Sequence, residues 1–530
     1  MNKLLLQSKY LNYIYVNFRF STKRQVYQLQ FTGWPDQGIP ILFLPFLSFL
    51  KIYKKFSKSD SGPTIVHCSA GVGRTGVFIV VDSQMERIKH DRTVNIYDQI
   101  KAIRKQRNFM VQTEAQYGFI YDVLLEWNQG NYSEIVPDML ISQIKSKSQI
   151  VENNSLSGFE IEFQKLNLQS TTINSNMSRI HGNATVNKQK NNSPHLIPFD
   201  WNRVALSSMS GVDGSDYINA SYIDSYLKTK AYIVSQDPMA STVEDFWRLV
   251  WDQNCSIIVV LGKIEEFMKV RSIKLVLFRM ELSLPYWPVQ KSIRYQFFVV
   301  DPMVEYNMSN YIMREFKVTD ARDGEFKTVR QFHYSKWLNN ICPCDAHSFL
   351  EFIHQVQLTK ENFGHGNPLL VHCRRINIGA HCPMCTQTYK WHEVKIRTQM
   401  YTEEIKLSET ILASEKLIIN LLIQGVSTLI AAIIIITQSK INVVLNYGTG
   451  KSGIFIALNN ILEKLNQESL IDVYDTVKLL QQQRVGLVQT VDQYKFCYLS
   501  ILTHMIDINP DFKAQFCGFK EYLSISSMFH

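Results

Sequence analysis

One domain-sized unit occurs twice in this sequence, and the duplication constrains the fold more strongly than any other feature. Four blocks of the first unit recur in the second, and they recur in the same order. Both copies contain a Val-His-Cys sequence, a glycine-rich segment and a Val-Gln-Thr sequence. The paired blocks are 25–40 with 329–343, 62–68 with 366–373, 71–86 with 448–463, and 104–121 with 481–498. We therefore predict two tandem copies of one domain.

The two copies differ in extent. The first begins about thirty residues before its Trp-Pro-Asp sequence, so we expect it to be only the C-terminal part of the domain. The second is nearly whole, but a long insert separates two blocks that are contiguous in the first. Segments rich in Ser, Asn, Gln and Lys are typical of linkers and loops, and they occur at 130–158 and 170–194. We expect the first copy at 1–130, a linker at 131–158, the second copy at 159–505 with an insert at about 374–445, and a C-terminal tail at 506–530.

Hydrophobic periodicity predicts a mixed α/β architecture. Short apolar runs with β-branched residues predict buried strands at Thr64–His67, Ser256–Leu261 and Leu369–His372. Apolar residues recur at helical spacing in Thr75–Arg87 and Ser452–Leu465. Each glycine-rich loop is therefore expected to connect a strand to a helix.

Cys68 begins a segment whose residues suit the binding and transfer of phosphate. Glycines in the following loop allow a tight turn, and successive backbone N–H groups can then point inward at the start of a helix. The partial positive charges of these N–H groups favour the thiolate form of Cys68, which makes this residue a nucleophile near neutral pH. Arg74 offers a planar pair of donors for two phosphate oxygens, and Thr75 can donate a hydrogen bond to the thiolate. The residues themselves indicate phosphoryl transfer through a cysteinyl-phosphate.

The segment VHCSAGVGRTG around Cys68 resembles the phosphate-binding loop of the protein tyrosine phosphatase family at every characteristic position. The resemblance implies an α/β fold in which helices flank a twisted mixed sheet. It also implies that Cys68 is the nucleophile, Arg74 the phosphate clamp, and Asp36 in WPDQGIP the general acid and then the base. By the same resemblance, Gln112 orients the attacking water. The residues that the resemblance expects to bind substrate are Ser69, Ala70, Gly71, Val72, Gly73, Arg74, Thr75 and Gln116.

The second copy resembles nearly the whole family domain, but its active-site positions depart from the family pattern. Asn339 stands at the position of the acid, and an amide cannot usefully donate or accept a catalytic proton. Lys451 stands at the position of the arginine and lacks its forked donors. Cys373 and Gln489 complete this degenerate second site, and a merely buried cysteine is the alternative for Cys373. The pattern resembles the membrane-distal domain of tandem receptor-type phosphatases, so we expect a regulatory role.

The resemblance implies an enzyme of signal transduction that hydrolyses phosphotyrosine on proteins, without a metal or a cofactor. The alternative is a catalytically inactive pseudophosphatase that binds phosphoproteins or acts as a scaffold. The net charge of +9 is modest for 530 residues, which favours phosphoprotein partners over nucleic acid. Nine sparse cysteines favour a reducing compartment. We expect a cytoplasmic protein, with membrane association at the inner face of the plasma membrane as an open alternative.

Three patterns in and beside the insert have competing interpretations. The apolar run 417–437 is long enough to span a bilayer, although its amides and hydroxyls fit a buried element as well. Cys382 and Cys385 lie near histidines and suggest zinc, but no second cysteine pair follows at a suitable spacing. The segment GTGKS at 448–452 lacks the first glycine of a nucleotide-binding loop, and the duplication explains it better. A retained non-coding stretch of the gene is another hypothesis for the insert.

Overall fold

The structure is a computed structural model, and the residues it describes belong to one compact unit formed by Met1–Arg374 and Gly448–His530. Within 8–25, and at 129–130, 172–174 and 176, the description covers the backbone alone. The described residues are 8–17, 22–35, 38–57, 62–130, 133–151, 156–262, 285–337, 342–343, 345–364, 366–373, 449–509 and 512. Four predictions lie outside these ranges. They concern Asp36, Asn339, the insert with its run 417–437, and the pair Cys382 and Cys385.

The first copy combines a β-hairpin with helices that share one apolar core. Its described elements are β1 (Ser8–Asn17), β2 (Thr22–Phe31), α1 (Leu44–Phe56), α2 (Gly73–Asp91), α3 (Ile96–Gln106) and α4 (Glu114–Gly130). β1 and β2 pair antiparallel from Ser8–Phe31 to Asn17–Thr22. The rings of Trp34, Phe46 and Phe119 pack together, with centroids 5.5–5.7 Å apart. This aromatic contact joins the segment after β2 to α1 and α4.

The described residues of the second copy form a nine-stranded mixed sheet. Its strands are β3 (Arg203–Ala205), β4 (Tyr217–Ile223), β5 (Tyr232–Gln236), β6 (Ile257–Leu261), β7 (Ile293–Tyr295), β8 (Phe298–Asn307), β9 (Ile312–Asp320), β10 (Phe326–Tyr334) and β11 (Leu369–Cys373). They lie in the order β3-β4-β5-β11-β6-β10-β9-β8-β7. The central strands β5, β11, β6 and β10 run parallel, and the outer strands pair antiparallel. The predicted mixed sheet, flanked by helices, is confirmed.

Helices pack on both faces of this sheet and create two apolar layers. The α-helices among the described residues of 133–509 are α5 (Leu140–Ser148), α6 (Gly158–Asn176), α7 (Ile180–Asn183), α8 (Val243–Asp252), α9 (Ala346–Phe363), α10 (Gly450–Glu468), α11 (Val473–Gln483) and α12 (Val491–Ile508). The larger layer contains α9, α10 and α12, and α8 belongs to the other layer. Val371 of β11 contributes to the first layer and Leu370 to the second. Burial on both faces explains why this strand shows no polar alternation.

The strand predicted at Thr64–His67 is wrong for the first copy. The backbone of these residues forms no strand, and the Ile65 side chain is 89% exposed. The corresponding segment of the second copy is β11, in which Leu370 is fully buried. β11 lies between β5 and β6 and bonds to both. No described strand pairs with Thr64–His67, so its apolar residues have no sheet to join. The other two strand predictions, and both helix predictions, are confirmed.

Helices also form in the two polar segments that composition associates with linkers and loops. α5 is held by Leu140 and Ile144, which are both buried in the large layer of the second copy. α6 begins with a capping box, because Ser157 and Glu160 each bond to the backbone of the other. Two buried positions one helical turn apart are enough to fix a short amphipathic helix, whatever the polar composition around them. None of the described helices combines the length and the hydropathy needed to cross a bilayer.

A buried ion pair joins the two copies, and a short backbone pairing and further charged contacts join the linker to them. Ile135 and Ile471 exchange backbone hydrogen bonds. The Glu126 carboxylate of α4 lies 2.5 Å from the Lys478 ammonium of α11, and both side chains are buried. Glu134 bonds to Lys464 at 2.7 Å and also contacts Lys51 of α1.

Candidate active site

The glycine-rich segment after Cys68 folds into a loop at the first turn of α2. Gly71 adopts φ +69°, a conformation that favours glycine and turns the chain toward the helix. A Cβ atom at Gly76 would lie 2.5 Å from the Val111 backbone nitrogen, so only glycine fits there. The Val72 carbonyl accepts hydrogen bonds from the N–H groups of Gly76 and Val111. The loop is therefore fixed against the segment before α4.

Cys68 has the hydrogen-bond environment of a stabilised thiolate. Partial burial by itself would raise the pKa of this thiol. The Thr75 hydroxyl lies 3.2 Å from Cys68 Sγ and donates to it, and the backbone N–H groups of Thr75, Gly71 and Val72 donate as well. These donors outweigh the burial and lower the pKa of Cys68 to about 7. A substantial fraction of the residue is therefore thiolate at neutral pH.

Arg74 joins the loop to the segment that contains Asp36. Its Nη2 donates to the Pro35 carbonyl at 2.8 Å, and its guanidinium lies 6.0 Å from the centre of the Trp34 ring. The Trp34 indole N–H donates to the Gly38 carbonyl at 3.1 Å. Asp36 itself lies outside the described residues. Trp34 and Pro35, which precede Asp36, nevertheless lie at the arginine of the loop.

The two glutamines of the predicted site both lie against Gly73. A Cβ atom at Gly73 would approach Gln116 Nε2 to 2.9 Å and Gln112 Oε1 to 3.3 Å. Gln116 is buried, and its Oε1 accepts a hydrogen bond from the Gln112 backbone N–H at 2.9 Å. The structure thus brings together Cys68, Arg74, Gln112 and Gln116. It also places Ser69 and Ala70 on the exposed side of the loop and Val72 at its half-buried base.

Arg107 is a site residue that the sequence analysis did not single out. Its Nε donates to the Gly71 carbonyl at 3.0 Å and its Nη2 to the Ala70 carbonyl at 3.3 Å. By occupying these carbonyls it holds the loop in the conformation whose N–H groups face Cys68. The duplication could have pointed to Arg107, because an arginine, Arg484, stands at the matching position of the second copy.

The second copy assembles a similar set of residues around Cys373. Ser452 follows Lys451 as Thr75 follows Arg74, and it acts to lower the pKa of the Cys373 thiol. Gln489 Nε2 donates to Thr449 Oγ1 at 3.0 Å, and Lys451 Nζ lies 5.4 Å from the centre of the Trp337 ring. The chain therefore returns to Cys373 after the insert. Asn339 lies outside the described residues.

Burial distinguishes the second site from the first. Cys373 is 1% exposed, and this burial raises the pKa of its thiol although Ser452 and Lys451 act to lower it. The adjacent His372 is fully buried between Tyr286, at 2.8 Å, and Asp237, at 3.2 Å. His67 of the first copy is exposed, and its Nδ1 lies 3.3 Å from the Cys68 carbonyl oxygen. The Cys373 thiol is accordingly a poor nucleophile in this conformation.

Comparisons with known proteins agree with this geometry. The family model described as protein-tyrosine phosphatase matches residues 5–126, 187–377 and 422–503, which is more than half of the chain. Receptor-type tyrosine-protein phosphatase S of Gallus gallus is 40% identical over 486 residues, which cover 92% of this chain and 26% of that protein. Receptor-type tyrosine-protein phosphatase F of Mus musculus is 39% identical, with 92% and 21% covered. Tyrosine-protein phosphatase Lar of Drosophila melanogaster is 37% identical, with 92% and 20% covered. The chain spans about a quarter or less of the length of these relatives.

Proposed function

Because the chain belongs to the protein-tyrosine phosphatase family, we propose that its first copy hydrolyses phosphotyrosine on proteins. The observation that carries the proposal is the Cys68 thiol, whose pKa is lowered to about 7 by four donors of the loop. Arg74 and the glutamine pair converge on the same loop. Together these groups supply a nucleophile, a site for a phosphate dianion and an amide that can position water.

In the proposed reaction the Cys68 thiolate attacks phosphorus, and the bond between phosphorus and the tyrosine oxygen breaks. Asp36 gives its proton to the departing tyrosine oxygen, and the phosphoryl group remains on Cys68. Gln112 then orients a water molecule, and Asp36 takes one of its protons. The water oxygen bonds to phosphorus, the bond to sulfur breaks, and inorganic phosphate leaves with the thiolate restored.

The second copy has a regulatory role in this proposal. Lys451 replaces the forked arginine, and the Cys373 thiol is buried with a raised pKa. These features do not support turnover at Cys373. We also propose the division into a first copy at 1–130, a linker at 131–158, a second copy at 159–505 and a tail.

A binding role without turnover is the second candidate function. One observation favours it, namely that the residues leading to Cys68 pair with no described strand and leave Ile65 89% exposed. The equivalent residues before Cys373 are anchored on both sides by β5 and β6. A loop with less support can bind phosphate through its N–H groups and still hold the nucleophile too loosely for catalysis.

The proposed partners are phosphotyrosine-containing proteins on the cytoplasmic side of the plasma membrane. The relatives named receptor-type phosphatases support this partner class. Cys68, Cys255 and Cys497 are thiols, which fits a reducing compartment.

Hydrolysis of a phosphotyrosine peptide by the whole chain tests the proposed function, with Cys68→Ser and Cys373→Ser variants beside it. We expect phosphate release that is lost in Cys68→Ser and retained in Cys373→Ser. Binding of the peptide without phosphate release would establish the binding role instead. Loss of release in Cys373→Ser alone would overturn the assignment of catalysis to the first copy.

A further inference from the structure

One carboxylate at the contact between the two copies forms no ion pair with a described residue. Asp475 lies in the first turn of α11, and its Oδ1 atom is shielded from solvent and accepts no hydrogen bond from any described group. The side chain lines a cavity between α1 of the first copy and α10 and α11 of the second. A shielded carboxylate without a donor is costly in its charged form, so its protonation state needs an explanation.

The two cations that act on Asp475 are already engaged with other carboxylates. Lys464 of α10 bonds to Asp472 at 2.9 Å, and Lys478 of α11 lies 2.5 Å from Glu126 of α4. Asp475 is therefore a third carboxylate beside two ammonium groups. The negative charges of Asp472 and Glu126 also repel a negative charge on Asp475.

The other titratable groups around Asp475 do not remove this imbalance. Lys51 contacts Glu134, and Lys55 lies 3.8 Å from Glu468, so each of these cations has a carboxylate of its own. The charged and titratable groups that line the cavity with Asp475, together with the neighbouring phenol of Tyr474, are Lys51, Lys55, Glu134, Asp224, Tyr226, Lys464, Glu468, Asp472 and Tyr474.

The first copy shows the same helix position in a different environment. Asp98 and Asp475 are each the third residue of their helix and follow a tyrosine, in α3 and α11 respectively. Asp98 is exposed, and Asn95, which caps α3, donates to its Oδ2 at 2.8 Å. The cap of α11 is instead a carboxylate, Asp472, which has no proton to donate. The duplication thus places one aspartate beside an amide donor and water, and the other beside carboxylates.

The surroundings of Asp475 favour its neutral form. Shielding from water raises the pKa of this carboxyl well above its ordinary value, and the charges of Asp472 and Glu126 raise it further. Lys478 and Lys464 act in the opposite direction without outweighing these effects. The start of a helix also favours a negative charge, but the Asp475 backbone N–H is already bonded to Asp472 Oδ1.

We propose that Asp475 holds a proton where the two copies meet, and that the contact loosens when this proton passes to solvent. In the closed contact the neutral carboxyl needs no counterion. When the contact opens, Asp475 gains water and ionises at its ordinary pKa. Between that pKa and the raised pKa of the closed contact, each increase of one pH unit therefore favours opening by up to about tenfold. Because α4 carries both Glu126 and Gln116, this proton connects pH to a helix that supports the first site.

Hydrogen–deuterium exchange of the whole chain measures the opening of this contact. Exchange in α11 and in the part of α4 around Glu126 is followed from pH 5 to pH 8 and corrected for the intrinsic pH dependence of amide exchange. We expect opening to increase by at least about threefold over this range. Asp475→Asn imitates the neutral carboxyl and should remove the increase, as should Asp475→Ala. Asp98→Asn is the matched control, because it removes an exposed carboxylate at the same helix position and should leave the increase unchanged.

Opening that does not increase with pH would overturn the proposal. So would an increase that persists in both Asp475 variants and disappears in Asp224→Asn, because Asp224 lines the same cavity and burial raises the pKa of its carboxyl as well. If Asp475→Asn does not fold, the alanine variant decides between these outcomes. Exchange reports the contact itself, so the result is independent of whether the chain releases phosphate.

Discussion

Two cysteines in matching sequence contexts have thiols whose pKa values move in opposite directions. The pKa of Cys68 is lowered to about 7, and that of Cys373 is raised above its ordinary value. In both copies the hydroxyl residue that follows the arginine or lysine position acts to lower the pKa of the cysteine. Burial makes the difference, because Cys373 is 1% exposed and a charged sulfur there loses its hydration. Nucleophilic character therefore depends on exposure as well as on the loop sequence.

Replacement of Thr75 by valine removes the hydroxyl donor and keeps the shape of the side chain. The hydroxyl stabilises the thiolate, so its removal raises the pKa of Cys68 from about 7 toward the ordinary value. At pH 6.5 a smaller fraction of Cys68 is then thiolate than in the unchanged chain. We therefore expect alkylation by iodoacetamide at this pH to slow about three- to tenfold. Mass spectrometry of the alkylated peptide across a pH series measures this change. Ser452→Ala is the matched control, and an unmoved Cys68 midpoint in Thr75→Val would contradict the assignment.

Gly73→Ala tests the contact between the loop and the two glutamines. The added Cβ would meet Gln116 at 2.9 Å and Gln112 at 3.3 Å, so these amides must move away from the phosphate site. We expect kcat/KM for a phosphotyrosine peptide to fall about ten- to a hundredfold. Gly118→Ala is the control, because a Cβ there has no neighbour within 4 Å. That change should leave kcat/KM intact and stabilise α4 by roughly 0.5–1 kcal/mol.

At the scale of elements, two matching four-residue segments have different structures in the two copies. Thr64–His67 and Leu369–His372 have similar sequences, yet only the second is a strand. The strand propensity of such a run is realised through hydrogen bonds to neighbours, which β5 and β6 supply to β11. The helices after these runs, α2 and α10, form in both copies because their hydrogen bonds are internal.

Replacing Ile65 or Leu370, which occupy matching positions, by alanine tests how much each side chain contributes to stability. Leu370 is fully buried, and we expect Leu370→Ala to lower the free energy of unfolding by about 2–5 kcal/mol. Ile65 is 89% exposed, so Ile65→Ala should change it by less than about 0.5 kcal/mol. Urea denaturation of the two variants gives both values. A cost at Ile65 similar to that at Leu370 would mean that Ile65 is buried in a sheet in solution.

At the scale of the whole molecule, buried charges join the two copies. Glu126 and Lys478 lie 2.5 Å apart, without the alignment of a hydrogen bond, and both are largely shielded from solvent. Glu126 belongs to α4, the helix that also carries Gln116 of the first site. Lys478 belongs to α11, which precedes Arg484 and Gln489 of the second site. This ion pair therefore connects helices that support the two sites.

Loss of either partner of this pair leaves a charge buried without its counterion. We expect Glu126→Gln or Lys478→Met to destabilise the chain by about 3–5 kcal/mol, and the double variant to cost less than the sum. Denaturant titration of the four chains in a double-mutant cycle measures the coupling. Lys89→Met breaks an exposed pair with Glu86 at 3.2 Å and should cost less than about 1 kcal/mol. If the losses of unfolding free energy in the two single variants simply add in the double variant, this ion pair does not hold the copies together.

The sequence by itself determined the duplication, the mixed α/β class and the helices after the two glycine-rich loops, and it predicts phosphate chemistry at Cys68. These features follow from local patterns, since a glycine-rich turn, a helical period and a Cys-Arg spacing are all encoded within a few neighbouring residues. The phosphate loop and its two glutamines come together in the structure, although the catalytic role of each residue remains a prediction. The α5 helix escaped detection because only two buried positions define it.

Only the tertiary structure decided which residues are buried and which have partners. It left Ile65 exposed, raised the pKa of Cys373, recruited Arg107 to the loop carbonyls and paired Glu126 with Lys478. Each of these results depends on groups that are distant in sequence. Glu126 and Lys478 are the most widely separated, at 352 residues. Burial and charge pairing are properties of the assembled surfaces, so a local pattern cannot specify them.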